Sequence, residues 1–242
     1  MSNRDATQQT SPFRRPGFVL AAGFVALVLV LAVVLVITGR GGQPSTTPTS
    51  PAPPPAATEA AGTGDCRLPD TDQTIPTTAP AGVTWSVFHT VAVPSSPTAG
   101  PAVVDGDVAR CYAHTPTGAL LAAWQIGIRY LVADDWRTVV AQQVMPGPGR
   151  DTYVRLRAQV TANSDQPGQY GQVAGFKFVT YTPQVAVIQL VSRFPTGSLQ
   201  VITATVVWSD GDWKLQLQPD GSVSPSAQHV PSLAGFVVWG GV

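Results

Sequence analysis

Glutamate is almost missing from this chain, with Glu59 its single example, and lysine occurs only at Lys177 and Lys214. Arginine and aspartate therefore carry nearly all the charge, and 14 basic residues balance 14 acidic ones. No basic stripe gathers, which argues against direct nucleic-acid binding, since phosphate contacts need clustered cations. The three histidines, His89, His114 and His229, are scattered, so no metal-ligand spacing emerges. A Ser-His-Asp set and a glycine-rich phosphate loop are missing as well. The sequence thus offers no catalytic, cofactor-binding or metal residues, and the expected function is not enzymatic. Cysteine occurs twice, at Cys66 and Cys111, and neither lies near the N-terminal apolar run, which argues against a lipoprotein anchor.

That run is the first thing the sequence does have. Residues Gly17 to Thr38 are 22 positions without a charge, rich in Leu, Val, Ala and Phe. At about 1.5 Å per residue such a helix crosses the roughly 30 Å hydrocarbon core, with its backbone groups satisfied internally. A cleaved signal peptide has a shorter apolar stretch followed closely by a small-residue cleavage site. Here "TGRGGQPSTT" follows instead, so an uncleaved anchor is expected. Arg4, Arg14 and Arg15 precede the span and Arg40 alone follows closely, which holds residues 1–16 in the cytoplasm and sends the rest outside. The expected location is the cell membrane, single-pass, with the bilayer as first partner through 17–38.

Residues 39–64 are dominated by Pro, Thr, Ser, Ala and Gly and have too few large apolar side chains to bury a core. They read as a disordered, semi-rigid spacer that could extend roughly 70 Å at about 3.1 Å per residue. Residues 65–242 suffice for one domain. Both cysteines lie in it, on the side where disulfides persist. A Cys66–Cys111 bridge would close about 46 residues and stabilise by about 4 kcal/mol on the chain-entropy model; two buried free thiols are the alternative.

Within the domain, Val83 to Val93 alternates β-branched and aromatic residues and reads as one strand, with His89 a polar visitor on the face of Trp85 and Val91. "VVDGDVARCYAH" supplies a turn and a second short strand. Thr115 then caps a helix with Pro116 at its first position, and Leu120, Trp124, Gly127, Ile128 and Leu131 share a face. A second helix, capped by Asp134 or Asp135, turns Trp136, Val139, Val140 and Val144 inward. A third follows "PGPG", with Tyr153, Leu156 and Val160 inward and Arg150, Arg155 and Arg157 in solvent. Four strands come after. The terminal "VPSLAGFVVWGG" either packs back on the domain or presents an apolar patch to a partner.

The stretch "WSDGDWKLQL", Trp208 to Leu217, has two aspartates that could be catalytic carboxylates, calcium ligands or turn residues. Asp210-Gly211 is a strong two-residue hairpin signal. It pairs Ser209 with Asp212, Trp208 with Trp213, Val206 with Leu215 and Ala204 with Leu217. The apolar members then lie on one face, with Thr205, Lys214 and Gln216 on the other. Calcium needs more oxygen ligands at fixed spacing. Trp208, Asp210, Gly211 and Trp213 are therefore read as a structural hairpin, with both aspartates exposed at its tip.

Three helices followed by a curved antiparallel sheet, over roughly residues 115–218, resemble the nuclear-transport-factor-2-like fold. The resemblance implies an α+β domain in which the sheet curls around the helices into a cone with a pocket. "AHTPTGALLAA" from Ala113 to Ala123, with "VAVPSSPTAGP" and "SLAGFVVWGG", resembles a group of actinobacterial single-pass membrane proteins whose genes are often associated with plasmids and integrative elements. Anchor, spacer and outer domain together also resemble scaffold subunits of conjugation channels. What the resemblance implies is a non-enzymatic scaffold or accessory subunit of a conjugative, type IV secretion-like apparatus. Its partners would be other membrane or secretion-channel proteins, with a homo-oligomer as a further option. The alternative is a sensor or carrier holding a small apolar or cell-wall ligand in the cone.

The charge bias generates a topology test. Protease added to intact, wall-stripped cells is expected to remove the domain, and a fully protected domain would reverse the orientation.

Overall fold

In the computed structural model, which describes residues 66–160 and 169–241, the central helix starts where its sequence says it should. Helix α1 (Pro116–Val132) is capped by the Thr115 side chain, which accepts the Gly118 N–H, and Pro116 stands in its first turn. Helices α2 (Trp136–Gln143) and α3 (Pro148–Arg157) follow, with Asp135 capping α2. The expected anchor at 17–38 and spacer at 39–64 lie outside the described residues. Among the described residues no helix is long and apolar enough to cross a membrane.

The domain is α+β, its three described helices lying with a mostly antiparallel sheet. Four strands precede α1: β1 (Thr84–Phe88), β2 (Val91–Ser95), β3 (Val103–Asp105) and β4 (Val108–Arg110), paired as two separate hairpins. Six follow α3: β5 (Gln172–Tyr181), β6 (Val185–Arg193), β7 (Leu199–Ser209), β8 (Asp212–Gln216), β9 (Gln228–Val230) and β10 (Val237–Val238). They form one sheet in the order β10-β5-β6-β7-β8, and β9 shares the edge of β7 with β8. β8 takes the later half of β7 and β9 its first three residues. Two bulges, at Val173/Gly175 and Phe178/Thr180, bend β5 against β6. The end of α2 covers the outer edge of β8, where the Met145 N–H donates to Leu215 O at 2.8 Å.

Helix α1 is buried on nearly every side, packing on β6, β7 and β8 and also on β2, β4 and α2. Its polar residues are tied to the two small hairpins. Trp124 Nε1 donates to Ala92 O at 2.9 Å and Gln125 Nε2 to Pro94 O at 2.7 Å. Arg129, only 4% exposed, donates Nε to Gln125 Oε1 at 2.8 Å and Nη1 to Asp107 O at 2.9 Å, and lies 4.1 Å over the Phe88 ring. Burial lowers its pKa, while the field of Tyr112 and Asp107 pulls the other way.

Three expectations need correction. Val83 to Val93 is a hairpin, not one strand: His89 takes a left-handed φ of 51° in a two-residue turn and Phe88 pairs with Val91. The turn flips the phase, so odd positions before it share a face with even positions after it. On α3 Tyr153 is buried, but Leu156 is 48% exposed, and Val160, beyond the helix end at Arg157, is 60% exposed. The inward positions are Gly149, Tyr153 and the half-buried Arg157, whose Nη2 donates to Leu131 O. The cause is Gly149, where a Cβ would come within 2.4 Å of Gln218 O, so this turn of α3 sits against the backbone after β8. Finally, β7–β8 pairing ends at Thr205 with Gln216, short of Ala204 and Leu217. The C-terminal segment packs back through β10 on β5, and Trp239 is 4% exposed against Phe176 and Trp85.

Replacing Arg129 with Leu leaves a buried acceptor on Gln125 and a half-buried one on Asp107 without a charged donor. The expected cost is about 3 kcal/mol, two charged hydrogen bonds at about 1.5 each. Chemical denaturation of the full chain, followed by tryptophan fluorescence, measures it.

Candidate functional site

The chemistry-bearing residues converge on the β7–β8 hairpin. Asp210 and Gly211 both have left-handed φ, 54° and 79°, as a tight two-residue turn between twisted strands requires. Trp208 pairs with Trp213, Ser209 with Asp212 and Val206 with Leu215. Asp210 is exposed and forms an ion pair with Lys214 across the strand. Its hydrogen bonds from Lys214 and Ser209 hold its carboxyl below the usual carboxylate range.

Asp212 is not the exposed flanking residue expected from the sequence. It is half-buried and aimed at the chain before α1. Oδ2 accepts the Cys111 N–H at 2.7 Å, and Oδ1 accepts the N–H groups of Tyr112 and Trp213, each at 2.9 Å. Burial raises its pKa above the ordinary value, while those three N–H bonds and the charge of Arg110 pull it down. With both oxygens accepting backbone N–H groups, this carboxylate clamps the hairpin to the chain before α1. Cys111 itself has a left-handed φ of 73° and is bridged to Cys66, with Cα atoms 5.2 Å apart.

The neighbouring residues complete the clamp. Trp213 is fully buried and donates Nε1 to Ala113 O at 2.9 Å. His114 stacks on Trp208 with centroids 3.9 Å apart and donates to Pro183 O. Tyr112 is fully buried, its hydroxyl donating to Ala109 O at 2.8 Å, and burial raises its pKa strongly. The three histidines remain apart: His89 in the β1–β2 turn, His114 before α1 and His229 in β9. Among the described residues no group of three or more His, Cys, Asp or Glu could hold a metal ion.

Several hollows lie around this frame among the described residues, and four bear on function. A polar one of about 780 Å³ lies by the hairpin tip, lined by residues that include Arg67, Asp105, Arg110, Gln143 and Asp212. An apolar cleft of about 160 Å³ lies between α1 and the sheet, at Trp124, Ile128, Leu131, Leu190 and Ile202. A third, of about 450 Å³, has Arg193 and Trp239 in its wall, and the Trp239 Nε1 has no hydrogen-bond partner among the described residues. The fourth, about 700 Å³, is an open groove between α2 and α3 walled by Arg137, Arg150 and Arg155.

Among protein-family models, that of a domain of unknown function, DUF8175, matches residues 46–238. No curated protein and no solved structure matches the chain.

The clamp generates the next prediction. Asp212→Asn puts an amide nitrogen against a backbone N–H and is expected to cost about 2–3 kcal/mol. Asp210→Asn should leave the melting temperature almost unchanged, since Asn serves the same turn. A folded pKa raised above the unfolded one means that Asp212 favours folding most when protonated, and that this contribution is lost as pH rises through the folded value. The difference in melting temperature between wild type and Asp212→Asn should therefore narrow as pH rises above about 4. Thermal unfolding across pH checks both the size and the sign.

Proposed function

The chain belongs to the DUF8175 family, and we propose that it is a membrane-anchored, extracytoplasmic scaffold or accessory subunit of a conjugative, type IV secretion-like apparatus. In this reading residues 17–38 hold it in the bilayer with the N-terminus inside, and 39–64 lift the domain outward. The domain works through protein–protein contacts and without catalysis. It is a nuclear-transport-factor-2-like cone, a reading supported by the bulged β5 and by a sheet that packs on the buried α1.

The observation that carries the contact role is the set of exposed apolar side chains on α3 and in the turn that follows it. Val154, Leu156 and Val160 are 37%, 48% and 60% exposed along this one short segment. An apolar run set among arginines loses free energy when a partner removes it from water, at about 25 cal/mol per Å² of apolar surface. The side chains best suited to chemistry, Asp212 and His114, are meanwhile engaged in holding the hairpin to the entry of α1.

A second reading rests on the apolar cleft beside α1, whose walls of Trp124, Ile128, Leu190 and Ile202 suit a small apolar ligand in a sensor or carrier. Native mass spectrometry of the chain purified from its own membranes would reveal such a ligand.

For the scaffold, the test is transfer frequency in donor cells whose chain carries Leu156→Glu and Val160→Glu, with membrane levels of the protein matched to wild type. Transfer is expected to fall at least about tenfold, the effect of losing roughly 1.4 kcal/mol at a contact. Unchanged transfer would sink the scaffold reading.

A further inference from the structure

The groove between α2 and α3 has a charge pattern that names its occupant. Arg137, Arg150 and Arg155 wall it, Val140, Ala141 and Val154 form its apolar part, and Asp151 is its one acidic residue. Arg150 and Val154, like Asp151 and Arg155, stand one helical turn apart on α3, so the four present one broad stripe. The side chains of Arg150, Arg155 and Asp151 form no hydrogen bond or ion pair among the described residues. The Arg137 guanidinium lies 4.4 Å over the Trp136 ring, which holds it at the rim of the groove.

We infer that this groove binds an acidic, amphipathic segment of another protein, with an apolar side chain seated on Val154 and Ala141 and carboxylates reaching Arg150, Arg155 and Arg137. This rests on the reading of the α3 face as a contact surface and adds the chemistry of the partner. Guanidinium forks pair with carboxylates in bidentate geometry, and three such groups around an apolar floor select a segment that has both features. The chain's own spacer is a poor occupant, because residues 39–64 contain one acidic side chain, Glu59. Asp151 sets the register, since a partner carboxylate placed opposite it is repelled while a cation or amide there is accepted.

The test uses the full chain in phosphatidylcholine nanodiscs and a fluorescein-labelled helical peptide of Glu, Leu and Ala, with its Glu-to-Lys counterpart as control. The acidic peptide is expected to bind at least about tenfold more tightly than the basic one at low salt, and to weaken as salt rises. The double variant Arg150→Glu/Arg155→Glu, checked for an unchanged melting curve, should reverse that preference. Equal binding of the two peptides, or a preference that survives the reversal, overturns the inference. If phosphatidylglycerol nanodiscs displace the peptide from wild type, the occupant is an anionic lipid surface and the inference fails. If the reversal dissociates a dimer in sedimentation, the occupant is a second copy and it fails likewise. A reversed peptide preference with unchanged transfer would count against the apparatus alone, whereas lost transfer with no peptide preference would count against the acidic partner alone.

Discussion

The carboxylate of Asp212 accepts the N–H groups of Cys111 and Tyr112 from 101 and 100 residues away. Much of the domain depends on that contact. It fixes the last long hairpin of the sheet to the few residues that lead into α1, and Trp213 reinforces it through Ala113 O. On its other side, the same short segment is bridged to Cys66. The buried helix is thus held at its entry by the sheet and along its length by side chains that reach the N-terminal hairpins. Removing the acceptor would leave the Cys111 and Tyr112 N–H groups without the bonds they make to it, which is why a single carboxylate counts for more here than a surface aspartate does.

What was legible in the sequence was local. Thr115-Pro116 marks a helix start through chemistry contained in four residues, and Asp210-Gly211 marks a turn through backbone conformations that those two residues tolerate. The register of the hairpin followed from the turn and from alternation, and Trp208 does meet Trp213. The β1–β2 turn was not legible, because His89-Thr90 contains neither glycine nor asparagine and the valines run on through it as if the strand continued. The face of α3 was misread for a tertiary reason: Gly149 lies against the backbone near Gln218, a contact that no periodicity in the helix announces. Asp212 was hidden in the same way, since its partners lie in a distant segment and its neighbours spell a turn.

The candidate sites divide along similar lines. The arginines of α3 could be read as a solvated face, and the side chains of Arg150 and Arg155 form no hydrogen bond or ion pair among the described residues. What the fold adds is the groove, which brings Arg137 from the neighbouring helix to the same hollow. Arg129, by contrast, disappears into the core, where Gln125, Asp107 and Phe88 meet its charge. Arg129 on α1 organises the interior and Arg150 and Arg155 on α3 face out, and only packing tells them apart.

The distance along the chain between Cys111 and Asp212 has a kinetic consequence. A helix moored by residues made a hundred positions later cannot be sealed while the chain is still emerging. Its Ala- and Leu-rich surface must wait for β6, β7 and β8 to arrive, and closing so long a loop is slow compared with forming the helix itself. The two small N-terminal hairpins can cover part of α1 during that interval, the first through Trp124 and Gln125 and the second through Arg129.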